Sequence, residues 1–218
     1  MDRAILVTYL MRALVMLVAI PVHEASHALV SARLGDTTAK DCGRLTLNPA
    51  AHFDLWGALC MVFAGVGWAK PVGVDPRRFK NPKVGMAVSA AAGPLSNFIL
   101  ALCSMVAYKL LVYLAPVTLP WRLVSMFFSY MVSVNIALGV FNLLPVPPFD
   151  GSRIITVFLP QKWYFRIMRY ERYLFAAVFL LLVLGALDAP LAALQRWAWN
   201  MMVYATGFVE AALRAALG

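Results

Sequence analysis

Charge is what this sequence has least of. Of its 218 residues only 13% are charged while 62% are apolar, too little polar side chain to coat a soluble domain of that length. Most of the chain is therefore expected in lipid. Acids are scarcer than bases, ten Asp and Glu against 19 Lys and Arg, for a net charge of +9. The excess does not describe a nucleic-acid face, because the bases cluster between apolar runs, as in the cytoplasmic loops of membrane proteins. Cysteines are few and odd in number, Cys42, Cys60 and Cys103, with no Cys-x-x-Cys pair. A disulfide framework and a thiolate metal site are both disfavoured, and the three read as packing residues. A cleavable leader is not expected either, since the first apolar run is too long for a signal segment. Histidine is almost absent: His23, His27 and His52 are all there are.

Two of those histidines stand four residues apart in His23-Glu24-Ala25-Ser26-His27, inside an apolar run over residues 5–34. On a helix this spacing stacks both imidazoles on one face, where they can share one metal ion, with Glu24 in reach of a water on that ion. Two imidazoles and a carboxylate at membrane depth cost a few kcal/mol, so they mark a functional site by default.

The remaining chain reads as an all-α polytopic membrane protein. About five transmembrane helices are expected at residues 5–34, 84–112, 123–144, 173–187 and 194–213, the last amphipathic enough to lie at the interface. Pro21 should kink the first and Gly35 with Asp36 should end it. Residues 43–54 alternate polar and apolar and read as a short strand-like element with a turn at Asn48-Pro49. Residues 56–66 are apolar but short, as a re-entrant segment would be. The loops at 70–83 and 153–172 carry five basic residues each and should face the cytoplasm, which brings residues 142–151 and the histidine pair to the same side. Trp121, Trp163 and Trp197 read as interfacial anchors, and Arg166, Arg169 and Arg172 as contacts to anionic lipid. The whole chain, 1–218, is one integral-membrane domain in this reading, with a core at 5–158 and C-terminal helices at 172–216.

Two imidazoles leave a zinc ion one protein ligand short of the three that hydrolytic sites use. Asp150 is the first candidate, an acid in a proline-broken stretch where an unpaired carboxylate would be costly. His52, in a polar segment able to fold over the site, is the rival.

Taken together, His23-Glu24-x-x-His27 on one membrane helix and Asn142-x-x-Pro145-x-Pro147-Pro148-x-Asp150-Gly151 after a later one resemble the two motifs of the site-2 protease family of intramembrane zinc metalloproteases. Gly43 to Pro49 with His52, and Ala92 to Asn97, are similar to stretches of its small bacterial members. The likeness covers roughly residues 22–155, and the last sixty or so residues add nothing specific to it. The PDZ domain that larger members insert between the two motifs and the CBS domain that others append are not expected here, and Asp54-Leu55-Trp56-Gly57 departs from the D-P-x-G of the small branch. The resemblance implies one Zn²⁺ per chain held by His23, His27 and Asp150, with Glu24 as catalytic acid and base. It implies peptide-bond hydrolysis in the transmembrane segments of protein substrates in a bacterial inner membrane, with the active site towards the cytoplasm. The partners would be the bilayer and the substrate, and no nucleic acid. An amide donor, Asn142 or Asn97, would stabilise the oxyanion, although either could equally bond backbone where a helix is broken.

Two other classes use the same residues. A metal transporter would make the cluster a transit site, but no further chain of acids or histidines crosses the membrane. An inactive scaffold would not need Glu24.

Overall fold

The computed structural model describes residues 3–64, 69–70, 72–160 and 169–217. Trp163, Arg166 and the end of the expected re-entrant segment lie outside the described residues.

The chain folds as helices packed side by side. Helix α1, Arg3–Arg33, is about 46 Å long at 1.5 Å per residue, enough to cross a hydrocarbon core of about 30 Å with tilt. It stays helical through Pro21, which is fully buried. It stops where expected: Gly35 takes φ +110, and Asp36 N–H returns to Ser31 O at 3.0 Å, closing the last turn around a residue without a Cβ. A short turn, α2, covers Thr38–Asp41.

Residues 43–54 correct the strand expectation. No β-strand occurs among the described residues; a single bridge, Phe53 to Ala69, is all the pairing there is. The alternation is real, but side chains of the loop take its backbone groups first. His52 Nε2–H donates to Thr46 O at 2.8 Å, Thr46 Oγ1 accepts from Asn48 N–H, and the Arg44 guanidinium donates to Ala51 O. Pro49–Ala51 is a 3₁₀ turn capped by Asn48. Helix α3, Leu55–Ala64, is about 15 Å long and too short to span, as a re-entrant segment should be.

Helix α4, Pro82–Leu114, starts with Pro82 behind an Asn81 side chain that accepts from Val84 N–H, a favoured start because proline's missing donor is one the first turn does not use. Helix α5, Leu119–Asn142, runs back antiparallel. It ends before the prolines, the Pro147–Pro148 peptide is cis, and α6, Asp150–Thr156, comes next. Lys83 Nζ donates to Leu159 O at 3.0 Å, tying the start of α4 to the end of α6. Buried Ala101, Met105, Val132, Ile136, Val140 and Ala198 form the main core between α4, α5 and α8, Asp188–Ala205. Met16 and Ile20 of α1, with Phe53 and Ala69 against them, form a second.

Helices α1, α4 and α5 are long and apolar enough to cross a membrane. The two spans expected near the C-terminus take a different form. Helix α7, Glu171–Val183, ends at Gly185 with φ +71, and the chain turns by 86° into α8 and α9, Gly207–Leu217. A helix of 13 residues reaches about 20 Å, so α7 joined to α8 and α9 makes one broken span at most. The described residues thus hold three spans, or four with the bent pair, against about five expected. Glu210 of α9 lies 3.2 Å from buried Lys109 of α4, whose Nζ also donates to Val203 O. That ion pair holds the C-terminal helices to the bundle.

Candidate active site

The histidine pair sits on the buried face of α1, both rings with little exposed surface. His27 Nδ1 is 2.7 Å from Ser89 O. A carbonyl can only accept, so Nδ1 carries the proton and Nε2 keeps its lone pair. His23 Nδ1 donates in the same way to Asn97 Oδ1 at 3.3 Å. Both Nε2 atoms are left as acceptors, 3.1 Å apart, and Asp150 Oδ2 lies 3.3 Å from each. Three electron-rich atoms at this spacing repel unless a cation sits among them. Ligands of tetrahedral zinc, at about 2.0–2.1 Å from the metal, stand about 3.3–3.4 Å from one another. The donor set therefore fits zinc in chemistry and in spacing, and it is the only such cluster among the described residues.

Asp150 arrives through the turn sequence expected to break the helix. Gly151 is what lets it do so: a Cβ there would stand 2.2 Å from Leu143 O and 2.6 Å from Leu144 O. The first turn of α6 thus lies flush on the end of α5. Asp150 Oδ2 is thereby set as the anionic oxygen donor opposite two neutral imidazole nitrogens.

Helix α4 supplies the wall behind the rings. Ser89, Gly93 and Asn97 are four residues apart and share one face. Ser89 and Asn97 take the two Nδ1–H groups, and Gly93 between them touches both rings. A Cβ at Gly93 would lie 2.3 Å from His27 Nε2 and 2.6 Å from His23 Cε1. Ser89 Oγ also shares a 2.6 Å hydrogen bond with Ser31 Oγ of α1. Small residues in this stretch point only to close packing; the four-residue spacing of Gly85, Ser89, Gly93 and Asn97 is the signal that names the face.

The cluster opens on a cavity of about 950 Å³, within the upper range of small-molecule pockets. Ile20, Met86, Leu138, Phe141, Phe175 and Phe179 make it largely apolar, while Glu24, Asn142 and Arg153 are polar groups on its wall. Of the residues singled out from sequence, His23, His27 and Asp150 meet at one point, and Glu24 and Asn142 line the same cavity. Asn142 Nδ2 donates to Leu138 O of its own helix at 3.0 Å. Asn97 stands behind His23 rather than on the cavity wall. His52 is not brought to the cluster: it is fully buried in the 43–54 loop, bonded to Thr46.

A residue noted only as a helix end has a larger part. Asp36 is fully buried. Its carboxylate accepts from Thr38 N–H at 3.0 Å, from the Thr38 hydroxyl at 2.5 Å, and from Asp75 N–H at 2.8 Å. It fastens the basic loop to the end of α1. Desolvation opposes its ionisation, but these bonds, with the charge of Arg78, win and lower its pKa.

The model of "Peptidase family M50" matches residues 115–185. The chain is 39% identical over 173 residues to "Putative zinc metalloprotease YwhC" of Bacillus subtilis (strain 168), covering 77% of this chain and 78% of that protein. It is 30% identical over 155 residues to "Putative zinc metalloprotease Rip3" of Mycobacterium tuberculosis (strain ATCC 25618 / H37Rv), covering 69% of this chain and 31% of that protein. No solved structure matches significantly. With identity of this level over more than three quarters of the YwhC protein, the chain belongs to peptidase family M50, the site-2 protease family of zinc metalloproteases.

Proposed function

We propose that this protein is an intramembrane zinc metalloprotease that hydrolyses peptide bonds within or near the transmembrane segments of protein substrates. The observation that carries the reading is the triangle of His23 Nε2, His27 Nε2 and Asp150 Oδ2, with sides of 3.1, 3.3 and 3.3 Å, at the wall of an apolar cavity among spanning helices.

In this reading those three residues hold one zinc ion per chain. When bound, the ion supplies Lewis-acid activation of a water molecule and of the scissile carbonyl. Glu24 takes the proton from the attacking water and delivers it to the departing amide nitrogen, so that C–O forms and C–N breaks with one proton passing through its carboxyl. Ser89 and Asn97 keep each imidazole in the tautomer that leaves Nε2 free. The phenylalanine-lined wall excludes bulk water and accepts apolar side chains of an unwound substrate segment. Asn142, on the cavity wall, has a second amide hydrogen that can reach the developing oxyanion.

The site lies six residues, about 9 Å, before the C-terminal end of α1. Arg33, Lys40, Arg44, Arg77, Arg78, Lys80 and Lys83 crowd the same end of the bundle. By the bias of basic loops this end faces the cytoplasm, in a bacterial inner membrane. The experiment is cleavage of a single-span substrate by purified protein in lipid. Activity should fall with a chelator and return with zinc, and Glu24→Gln should keep zinc while losing cleavage. Cleavage retained by Glu24→Gln would sink the proposal, and metal transport by that variant would favour a transporter.

A further inference from the structure

We infer that Arg153 is a specificity residue, the docking point for a carboxylate of the substrate peptide beside the scissile bond. The inference rests on the protease reading and adds what that reading leaves open, the chemistry of the residues that the enzyme prefers.

Arg153 follows Asp150 by three positions on α6, which puts both on one side of that short helix. Both line the cavity, and Arg153 is the only lysine or arginine among its described lining residues. It is half-buried. Its guanidinium has no hydrogen bond or ion pair with any described residue, although its backbone carbonyl accepts from Thr156. None of the cavity's three acids pairs with it: Asp150 faces the imidazoles, and neither Glu24 nor Asp188 comes within ion-pair distance of the guanidinium. Outside the described residues, at 1–2, 65–68, 71, 161–168 and 218, the sequence carries a single acid, Asp2.

An unpaired guanidinium on the wall of a largely apolar cavity is a poor arrangement for the free protein and a good one for a complex. Desolvating it costs energy that only an anion recovers well. Its planar fork of donors matches a carboxylate in a two-bond contact that a carbonyl cannot offer. Position sets where the partner lies. Arg153 is one turn from the residue that would bind the metal, at the basic end of the bundle, so the carboxylate belongs a few residues from the cleaved bond on that side. Either an Asp or Glu side chain or a free C-terminus presents this group.

The test uses full-length protein in proteoliposomes and synthetic transmembrane peptides that differ at one juxtamembrane position at a time, carrying Asp, Asn or Lys, with both ends blocked. A fourth peptide carries Asn and a free C-terminus. Wild type should prefer Asp to Lys in kcat/KM by roughly tenfold at one position, mostly through KM, as one charge-assisted contact implies. Arg153→Ala should bring the two peptides within about twofold, Arg153→Lys should keep the order, and Arg153→Glu should reverse it. A gain for the free C-terminus that Arg153→Ala abolishes would assign the terminal carboxylate as the partner. An unchanged Asp-to-Lys ratio in Arg153→Ala, no charge preference in wild type, or an equal loss on every peptide would each overturn the inference. If no peptide is cut in a Glu24-dependent way, the protease reading fails on its own, and the charge preference is then read from binding of the same peptides to Glu24→Gln.

Discussion

Adding one methyl group at Gly93 should disarm the site without touching any group that does chemistry. The new Cβ would stand 2.3 Å from His27 Nε2, 2.5 Å from His27 Cε1 and 2.6 Å from His23 Cε1. Ordinary heavy-atom contact is about 3.5–4.0 Å, so rings or helix must give by about 1 Å. Coordination tolerates about 0.2 Å. The rings cannot retreat together, because their Nδ1–H groups are bonded to the same helix that carries the methyl. If α4 backs away instead, the 2.7 Å bond to Ser89 O and the 3.3 Å bond to Asn97 Oδ1 stretch past the hydrogen-bond limit. Losing such outer partners alone lowers metal affinity about 10–100-fold. Gly93→Ala should therefore lose zinc affinity at least that far and kcat/KM with it. The metal-free protein should lose only about 1–3 kcal/mol, the usual range for overpacking. The assay is zinc titration with a competing chelator, beside thermal melting of the metal-free form. Leu95→Ala, at a 59% exposed position two residues on, is the control and should leave both unchanged. Wild-type zinc affinity in Gly93→Ala would refute the reasoning, because no arrangement of these helices accommodates that methyl as they stand.

Other expectations rest on the same contacts. Asn97→Asp, which still accepts from His23 Nδ1–H, should keep zinc, whereas Asn97→Leu should weaken binding about 10–100-fold by chelator competition. Gly151→Ala drives a methyl into the Leu143 and Leu144 carbonyls, so Asp150 should be displaced and zinc affinity and turnover should fall together. Asp36 is ionised more readily in the folded protein than in the unfolded chain. Its stabilisation is complete above the ordinary carboxylate range near pH 4 and is lost as pH falls through and below it. Melting measured from pH 7 to pH 2 should show an acid-side loss that is smaller in Asp36→Asn. That variant should be less stable at pH 7 by about 1–3 kcal/mol.

The sequence is most legible where chemistry and spacing coincide. His23 and His27 four apart, and Asp150 behind three prolines, can be read because few structures put such groups into lipid without a reason. The wall behind them is half legible: Ser89, Gly93 and Asn97 recur every four residues, but which neighbour they meet depends on how α4 lies against α1. The 43–54 loop reads wrongly as strand-like, since alternation reports side-chain polarity and not whether His52, Arg44 and Thr46 will occupy the backbone groups a strand needs. The C-terminal helices read as two spans because a window of apolar residues does not register the 86° turn at Gly185. Asp36 carries no signal beyond helix termination, because its partners Thr38 and Asp75 come from opposite sides of a long loop.

The central claim is that His23, His27 and Asp150 bind one zinc ion with an open position beside Glu24. X-ray absorption at the zinc edge of purified protein in lipid measures that shell directly. The expected result is one zinc per chain with two imidazoles and oxygen donors at about 2.0–2.1 Å, unchanged in Glu24→Gln and lost in Asp150→Ala. A sulfur scatterer, or a full and unaltered zinc shell in Asp150→Ala, would contradict it.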